Sequence, residues 1–450
     1  MISPSNPLPK YPSYYEPESG WIGELPSGWD VLRGKFVFSE FQERSETGDE
    51  LLLSVSEYYG VKPRQDAIDD EEFLTRAETL VGYKKVGIND LAMNIMLAWK
   101  KGLGVSKYSG IVSPSYSVFR FGRKADPDFM HYLLRTDLYA DYFKARSTGI
   151  MDSRLRLYPD SFRDIQIVLP PSEQQKQIVA FLNYETAKID ALIEKQQQLL
   201  ALLGEKRQAV ISHAVTKGLN RDAPMRDSGV EWLGKVPVHW KIKKLGHLGR
   251  VQNGLNIGAE AFGSGAPFVS YGDVYNNLNV PESPSGLVQS TREDRVKCSL
   301  LTGDVLFTRT SESVDDIGIA ATCLCDIPNS TFAGFLIRFR PTPGTFAAHY
   351  STYLFRNQGV KLHFAGTMNL VTRASLSQDV LKKLPVCVPP LGEQVQIAKK
   401  LARSREVFND LEGKLIGQRE LLAERRTALI SAAVTGKIDV RGWKRPYSDT

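Results

Sequence analysis

The sequence predicts an α+β protein: two globular α/β bodies separated by two long antiparallel coiled-coil helices, with a pseudo-two-fold internal repeat. Two recurrences predict it. Trp21-Ile22-Gly23-Glu24-Leu25-Pro26-Ser27-Gly28-Trp29 reappears as Trp232-Leu233-Gly234-Lys235-Val236-Pro237-Val238-His239-Trp240, so both read W-[IL]-G-x-[LV]-P-x-x-W. Pro170–Gly218 aligns without a gap on Pro389–Lys437, with eighteen identities in 49 positions. The first pair is displaced by 211 residues (232 − 21) and the second by 219 (389 − 170), so the segment between the anchors changed length while the anchors did not. Self-similarity of this kind marks a duplicated structural unit.

The 450 residues bound the rest. At roughly 150 residues per domain they suggest about three domains. Hydrophobic residues at 42% and charged residues at 24% are ordinary for a folded protein. The residues before Trp21 lack an apolar core, which argues against a secretory signal, and no run approaches the length of a spanning helix. Four cysteines are too few for a disulfide framework and suit a reducing cytoplasm.

Taken along the chain, residues 1–20 form an N-terminal extension and 21–169 a first body. A spacer helix at 170–218 and a linker at 219–231 follow. The second body is 232–388, the second spacer helix 389–437, and the tail 438–450. The bodies carry short β-rich runs at Asp90–Met96, Gly110–Phe121, Pro267–Tyr271, Asp304–Arg309 and Phe335–Phe339, cut by glycine and turn signals. Pro127–Phe143 and Ala347–Phe364 read as helical, and each body closes on a strand that runs into Pro-Pro. Ser172 with Gln175 fits a capping box. Apolar residues then recur at Ile178, Leu182, Ile189, Leu192, Leu199, Leu203 and Val210, and again at Ile397, Leu401, Phe408, Leu411, Leu422 and Leu429. A stripe of that length needs an equally long partner, and the other copy supplies it; antiparallel pairing would set the bodies at opposite ends.

No catalytic constellation emerges. Leu169 and Val388 precede the prolines where an amino-methyltransferase wants Asn or Asp, and no aromatic follows. There is no dinucleotide fingerprint and no phosphate loop at Gly436-Lys437. Cys298, Cys323, Cys325 and Cys387 lack metal-site spacing, although Cys323 and Cys325 on a strand would share a face. The acidic cluster Asp69–Glu72 and the pair Asp315-Asp316 read as solvated loops, and His213 as a surface residue.

Charge is more informative. The 57 Lys+Arg against 51 Asp+Glu leave only +6 overall, but Val81 to Arg156 holds thirteen basic and six acidic residues. In the first body Lys84, Lys85, Lys100, Lys101, Lys107, Arg120, Arg154 and Arg156 are candidates to hold DNA; Arg123 and Lys124 stand with them. In the second they are Arg292, Arg295, Arg309 and Arg373, with Lys297 beside them. Lysine suits phosphate as a point charge, and arginine can also fork onto guanine. Ser106, Ser113, Ser115, Tyr116, Asn253, Asn256, Thr308, Thr310 and Asn369 could read bases or fix register.

With its Pro-Pro-x-x-[EQ]-Gln-x-Gln-Ile segments at 170–178 and 389–397 and its Arg-x-Ala-[VL]-Ile-Ser-x-Ala-Val-Thr helix endings, the chain resembles the specificity (S) subunits of Type I restriction–modification systems over about residues 15 to 440. Met93–Trp99 with Gly110–Tyr116, and Gly303–Arg309 with Ile317-Gly318, are similar to two types of target-recognition domain in that family. Ser172-Glu173-Gln174-Gln175 departs from the usual order that Leu391-Gly392-Glu393-Gln394 keeps, read as drift without effect on function. The resemblance implies a cytoplasmic, non-catalytic subunit reading a bipartite, asymmetric target in double-stranded DNA. Its paired helices would serve as a ruler and dock two modification (methyltransferase) subunits, which carry S-adenosylmethionine. Restriction subunits using ATP and Mg would join them, and the chain itself would bind no cofactor and no metal. Two other readings remain: a coiled-coil scaffold with two peptide-binding modules, and a self-sufficient methyltransferase or nuclease.

Overall fold

The computed structural model describes residues 9–18, 20–66, 79–311, 316–367 and 374–446. The chain divides into two compact units, Met1–Gln196 with Gly417–Thr450, and Gln197–Ile416.

In unit 1 the strands are β1 (Tyr14–Tyr15), β2 (Leu25–Pro26), β3 (Asp30–Arg33), β4 (Phe38–Phe41), β5 (Leu53–Ser56), β6 (Gly60–Pro63), β7 (Lys84–Val86), β8 (Leu91–Asn94), β9 (Leu103–Val105), β10 (Gly110–Val112) and β11 (Tyr116–Phe121). Helices α1 (Pro127–Leu134), α2 (Asp137–Arg146) and α3 (Pro159–Arg163) precede β12 (Gln166–Leu169) and the 46-residue α4 (Ser172–Lys217). The centre is an antiparallel sheet ordered β4-β11-β8-β9, with β12 paired to β3 and β1 to β2. One expected helix, Pro127–Phe143, is two: Thr136 caps the second by accepting from the Tyr139 N–H, which turns the chain.

Unit 2 has β13 (Met225–Asp227), β14 (Lys235–Pro237), β15 (Lys241–Lys244), β16 (Gly249–Asn253), β17 (Phe262–Val269), α5 (Tyr271–Asn276), β18 (Gly286–Val288) and α6 (Arg292–Lys297). Then come β19 (Val305–Thr308), β20 (Thr310–Ser311), β21 (Ala320–Thr322), β22 (Thr331–Phe332), β23 (Leu336–Pro341), α7 (Ala348–Phe355), α8 (Gln358–Thr367), β24 (Ala374–Ser375), α9 (Gln378–Lys383), β25 (Pro385–Val388) and the 44-residue α10 (Leu391–Val434). Its central sheet, β16-β23-β19-β21, has the strand order of unit 1, and β25 pairs with β15 as β12 does with β3. Here too the single helix expected at Ala347–Phe364 is broken in two. The repeat therefore extends into the bodies, where the sequences no longer match.

Proline-free through their lengths, α4 and α10 run about 69 and about 66 Å at 1.5 Å per residue. Within unit 1 they run antiparallel: Arg426 meets Asp190 at 2.8 Å and Gln418 accepts from Gln196 at 3.2 Å. Within unit 2, Arg207 meets Glu412 and Asn409, both at 2.9 Å, while Val215 shares a core with Ile397 and Leu401. The apolar stripe is covered only in part. Ile178, Leu182, Ile189, Ile397 and Leu401 are buried in the unit cores, Leu203, Val210, Phe408, Leu422 and Leu429 are half-buried, and Leu192, Leu199 and Leu411 stand exposed, as do Leu202, Val407 and Leu421 beside the stripe.

Both repeat motifs meet in each unit. Trp29 Nε1 donates to Gln174 at 2.9 Å, and Trp240 Nε1 donates to Glu393 at the same distance. Gly436 (φ 73°) lies against Pro26 and Trp29, and Gly218 (φ 79°) against Trp240 and Pro237. The opening motif thus holds the start of one long helix and the end of the other.

The capping-box expectation is corrected by the buried Gln175. Its amide donates to the Pro170 and Lys124 carbonyls at 2.8 and 2.9 Å and accepts from the Asp126 N–H at 2.8 Å. Gln394 repeats this on Pro389 O, Thr345 O and the Ala347 N–H. Each glutamine ties the Pro-Pro turn to the loop before the first helix of the helical pair. The Ser172–Gln175 departure leaves that function intact.

Candidate nucleic-acid interface

In both units the chain leaves the third strand of the central sheet and meets the segment that follows the helical pair. The Leu157 N–H donates to Ile95 O at 2.8 Å, and the Leu376 N–H donates to Arg309 O at 2.7 Å. Below these loops the frame is the same. Asp90 accepts from the Gly87 N–H and pairs with Arg120; Asp304 accepts from the Leu301 N–H and pairs with Arg340 at 2.6 Å.

Behind the frame, Arg135 donates to the carbonyls of Ser56, Glu57, Lys101 and Leu103, at 2.6 to 3.3 Å. Arg356 donates likewise to Ala320, Val274, Tyr275 and Asn277. Such forks satisfy carbonyls at the ends of strands and helices and in the turns between them.

At this crossing unit 1 presents Met96, just before the turn Ala98–Lys100, and Trp99 and Lys100 from that turn, which closes on Lys101 at φ 66°. The Lys100 and Lys144 ammonium groups lie 5.1 and 5.0 Å from the Trp99 ring. Beside it the loop 147–156 carries exposed Arg154 and Arg156.

The other candidates separate by partner. Lys85 pairs with Glu43 at 2.7 Å, Lys101 with Asp137 at 2.6 Å, and Lys107 with Asp128. Lys84 is half-buried, and burial pushes its ammonium pKa down. Arg120 pairs with Asp90 and lies over the Phe41 ring, 3.4 Å from the centroid, as Arg340 pairs with Asp304, while its side chain stays half exposed. Ser106 is buried and donates to Tyr108 O, so it offers nothing to a base.

In unit 2 the crossing presents Arg309, whose Nε is buried and makes no hydrogen bond among the described residues. Arg292 and Arg295 lie on α6, which starts with a true capping box from Thr291 and Asp294. Thr308 is buried and bonded to Asp316 O, and Asn253 accepts from Gln378. Arg373, Asn369, Asp69–Glu72 and Asp315 lie outside the described residues.

Sequence reasoning picked out Gln175 and Gln394 without their bonds across the Pro-Pro turn, and missed Arg135 and Arg356, although Tyr132-Leu133-Leu134-Arg135 and Tyr353-Leu354-Phe355-Arg356 repeat and were there to be matched. It also missed Lys144, Arg146, Ile150 and Met151. Cys323 and Cys325 follow β21 rather than lie on it, and burial raises the Cys323 thiol. No cluster of metal-ligating residues occurs among the described residues, and none of their helices is long and apolar enough to cross a membrane.

The fold is a duplicated α+β body, each copy carrying the same crossing on one frame. The family profile "Type I restriction modification DNA specificity domain" matches residues 237–418. The EcoKI specificity subunit of Escherichia coli K12 is 21% identical over 95% of this chain and 92% of its own length. The StySPI specificity subunit of Salmonella potsdam is 19% identical with the same coverages. Among solved structures, the HsdS subunit of Thermoanaerobacter tengcongensis aligns with a TM-score of 0.53 over 92% of this chain and 98% of its own, at 17% identity. A chain from a structure of the assembly and conformational transition of the type I R-M system aligns with a TM-score of 0.69 over 91% and 98%, also at 17% identity. Over nearly its whole length the chain is thus similar to specificity subunits of Type I restriction–modification systems, and the family profile matches its second body and most of its second long helix.

Proposed function

We propose that each unit reads one half of a bipartite, asymmetric target in double-stranded DNA, and that the chain directs modification and restriction subunits to it in the cytoplasm. The observation that carries this reading is the crossing that recurs in both units on one frame with different side chains. Lys100, Arg154 and Arg156 of unit 1 hold phosphates, and Arg309 of unit 2 reads a base edge. Lys84, Arg292 and Arg295 are secondary contacts, as is Arg373. Lys85, Lys101 and Lys107 reach DNA only by leaving their carboxylate partners.

The long helices set the spacing of the half-sites. Their exposed leucines support docking of two modification subunits, since apolar residues at helical spacing gain by burial against further helices. Two matching clefts support two copies. One, of about 410 Å³, lies in unit 1 between Tyr132, Arg135 and Arg426; the other, of about 360 Å³, lies in unit 2 between Tyr353, Arg356 and Arg207. S-adenosylmethionine, ATP and Mg belong to the partners in this reading.

Selection of bound duplexes from a random pool by the assembled complex tests it. Two dissimilar motifs at one fixed spacing are the expected result; one motif, or none, overturns the reading. With the selected duplex, Arg309→Ala relaxes one position by about 1–3 kcal/mol, while Lys100→Ala weakens all sequences and flattens the salt dependence.

A further inference from the structure

Resting on the DNA-reading function above, we propose that the tip of the 147–156 loop in unit 1 is an apolar wedge that enters the base stack of a duplex. Ile150 is 102% exposed, the highest value of any large apolar side chain described, and its neighbour Met151 is 58% exposed. A single exposed apolar residue is unremarkable. Two in succession at the tip of a tied loop are a different matter.

The loop is held at its neck. Thr148 and Arg156 exchange two backbone hydrogen bonds of 2.9 and 3.0 Å, the Ser147 hydroxyl donates to Phe143 O, and Leu157 is fastened to Ile95. At Gly149 a Cβ would come within 2.6 Å of Arg154 O, so the chain doubles back at a distance only glycine permits. The Arg154 N–H closes the tip on Met151 O at 2.8 Å. The apolar pair is therefore presented in one shape, and little further ordering is lost when it is buried.

Charge chooses the occupant. Asp152, the acid at the tip, is neutralised by Lys144 at 3.0 Å. Arg146 rests on the Tyr142 ring, and Arg146, Arg154 and Arg156 have no carboxylate partner among the described residues. An apolar tip ringed by unneutralised arginines suits a surface that is anionic at its edges and apolar within. A DNA duplex is such a surface: phosphates flank the groove, and an inserted isoleucine or methionine unstacks a base-pair step while arginines grip the backbone on either side. The equivalent stretch of unit 2 falls on residues 368–373, outside those described, so the proposal concerns unit 1 alone.

The test uses the full complex, the selected duplex labelled at both ends for energy transfer, and the double variant Ile150→Ser with Met151→Ser. Both side chains are exposed, so thermal unfolding and co-purification with the modification subunits should stay as in the wild type. The wild type should bend the duplex, and the variant should bind it about 10- to 100-fold more weakly and bend it less. A scan of single abasic sites through the unit 1 half-site adds an independent reading. One step should bind the wild type several-fold more tightly, because unstacking is already done there, and the variant should not gain from it. Equal affinity and bending in the variant overturn the wedge, as does absence of a favoured abasic step. Loss of co-purification overturns it too, by making the tip a protein contact. If the wild type selects no duplex at all, the underlying DNA reading fails with it.

Discussion

Set side by side, the loops Ile95–Lys101 of unit 1 and Arg309–Ser311 of unit 2 hang from one backbone frame and share almost no chemistry. Each follows the third strand of its sheet, and each is fastened by a leucine N–H from the segment after the helical pair. In unit 1 the loop is apolar and lysine-flanked, with Trp99 between two ammonium groups; in unit 2 it is arginine, threonine and serine. The difference teaches where such a duplicated frame can vary. The hydrogen bonds that fix the loops are made by main chain and by buried Asp, Gln and Arg, so the exposed side chains can change without cost to the fold. The scaffold side chains do not have that freedom.

Four outcomes would break or sharpen that comparison. The largest effect belongs to the carbonyl-binding arginines. Arg135→Met and Arg356→Met should each cost about 3–5 kcal/mol, because four carbonyls lose a charged donor, and each should destabilise only its own unit in hydrogen exchange. If either variant loosens both units alike, the frames are not independent. Gln175→Leu and Gln394→Leu come next at about 3 kcal/mol apiece, from three hydrogen bonds made by a fully buried amide, read as a shift in denaturant midpoint. Their effects should be equal within error, since the partners match.

The third outcome is an asymmetry. His131 accepts from the Val105 N–H, and its pKa is pushed down to about 4, first by burial and then by the Arg135 charge, with Asp128 opposing and Lys107 and Arg426 adding to the fall. Unfolded, it titrates near about 6.5. The folded state therefore disfavours the proton: stability is complete above pH about 6.5 and is lost as pH falls towards 4, by about 3 kcal/mol at most. Unit 2 carries Thr352 at this position, bonded to Asn279. His131→Thr should remove that part of the acid sensitivity from unit 1 and leave unit 2 unchanged; a pH profile identical to the wild type refutes the assignment. The smallest effect separates two glycines of similar positive φ, Gly436 at 73° and Gly218 at 79°. A methyl at Gly436 would sit 2.4 Å from Pro26, whereas at Gly218 the nearest atom is Trp240 at 3.2 Å. Gly436→Ala should cost about 2 kcal/mol and Gly218→Ala about 1 kcal/mol, measured by thermal unfolding.

Much of the fold was legible before any coordinates. Motifs such as Trp21–Trp29 and Pro170–Thr216 were readable because they are held by many partners at once, so both copies keep their residues. Trp29 and Trp240 each bridge two helices, and Gln175 and Gln394 each make three bonds. The sheets were only partly readable, because strands of three or four residues carry too few alternations to show a period. The candidate site was read least well. Charge locates basic residues but not their neighbours: Lys85 and Glu43 are forty-two positions apart, and Arg120 and Asp90 thirty. Ile150 and Met151 escaped because nothing in a linear apolar pair says that it faces outward.

By itself, then, the amino-acid order determined the duplication, the two long helices and the resemblance to specificity subunits, since these depend on local spacing and on residues repeated in register. Tertiary structure alone decided which cations are already paired and which half of each helical stripe is covered. It also decided that two unlike loops occupy one position on the frame. Pairing, burial and exposure are relations between residues distant in the chain, and they exist only once the backbone has brought those residues together.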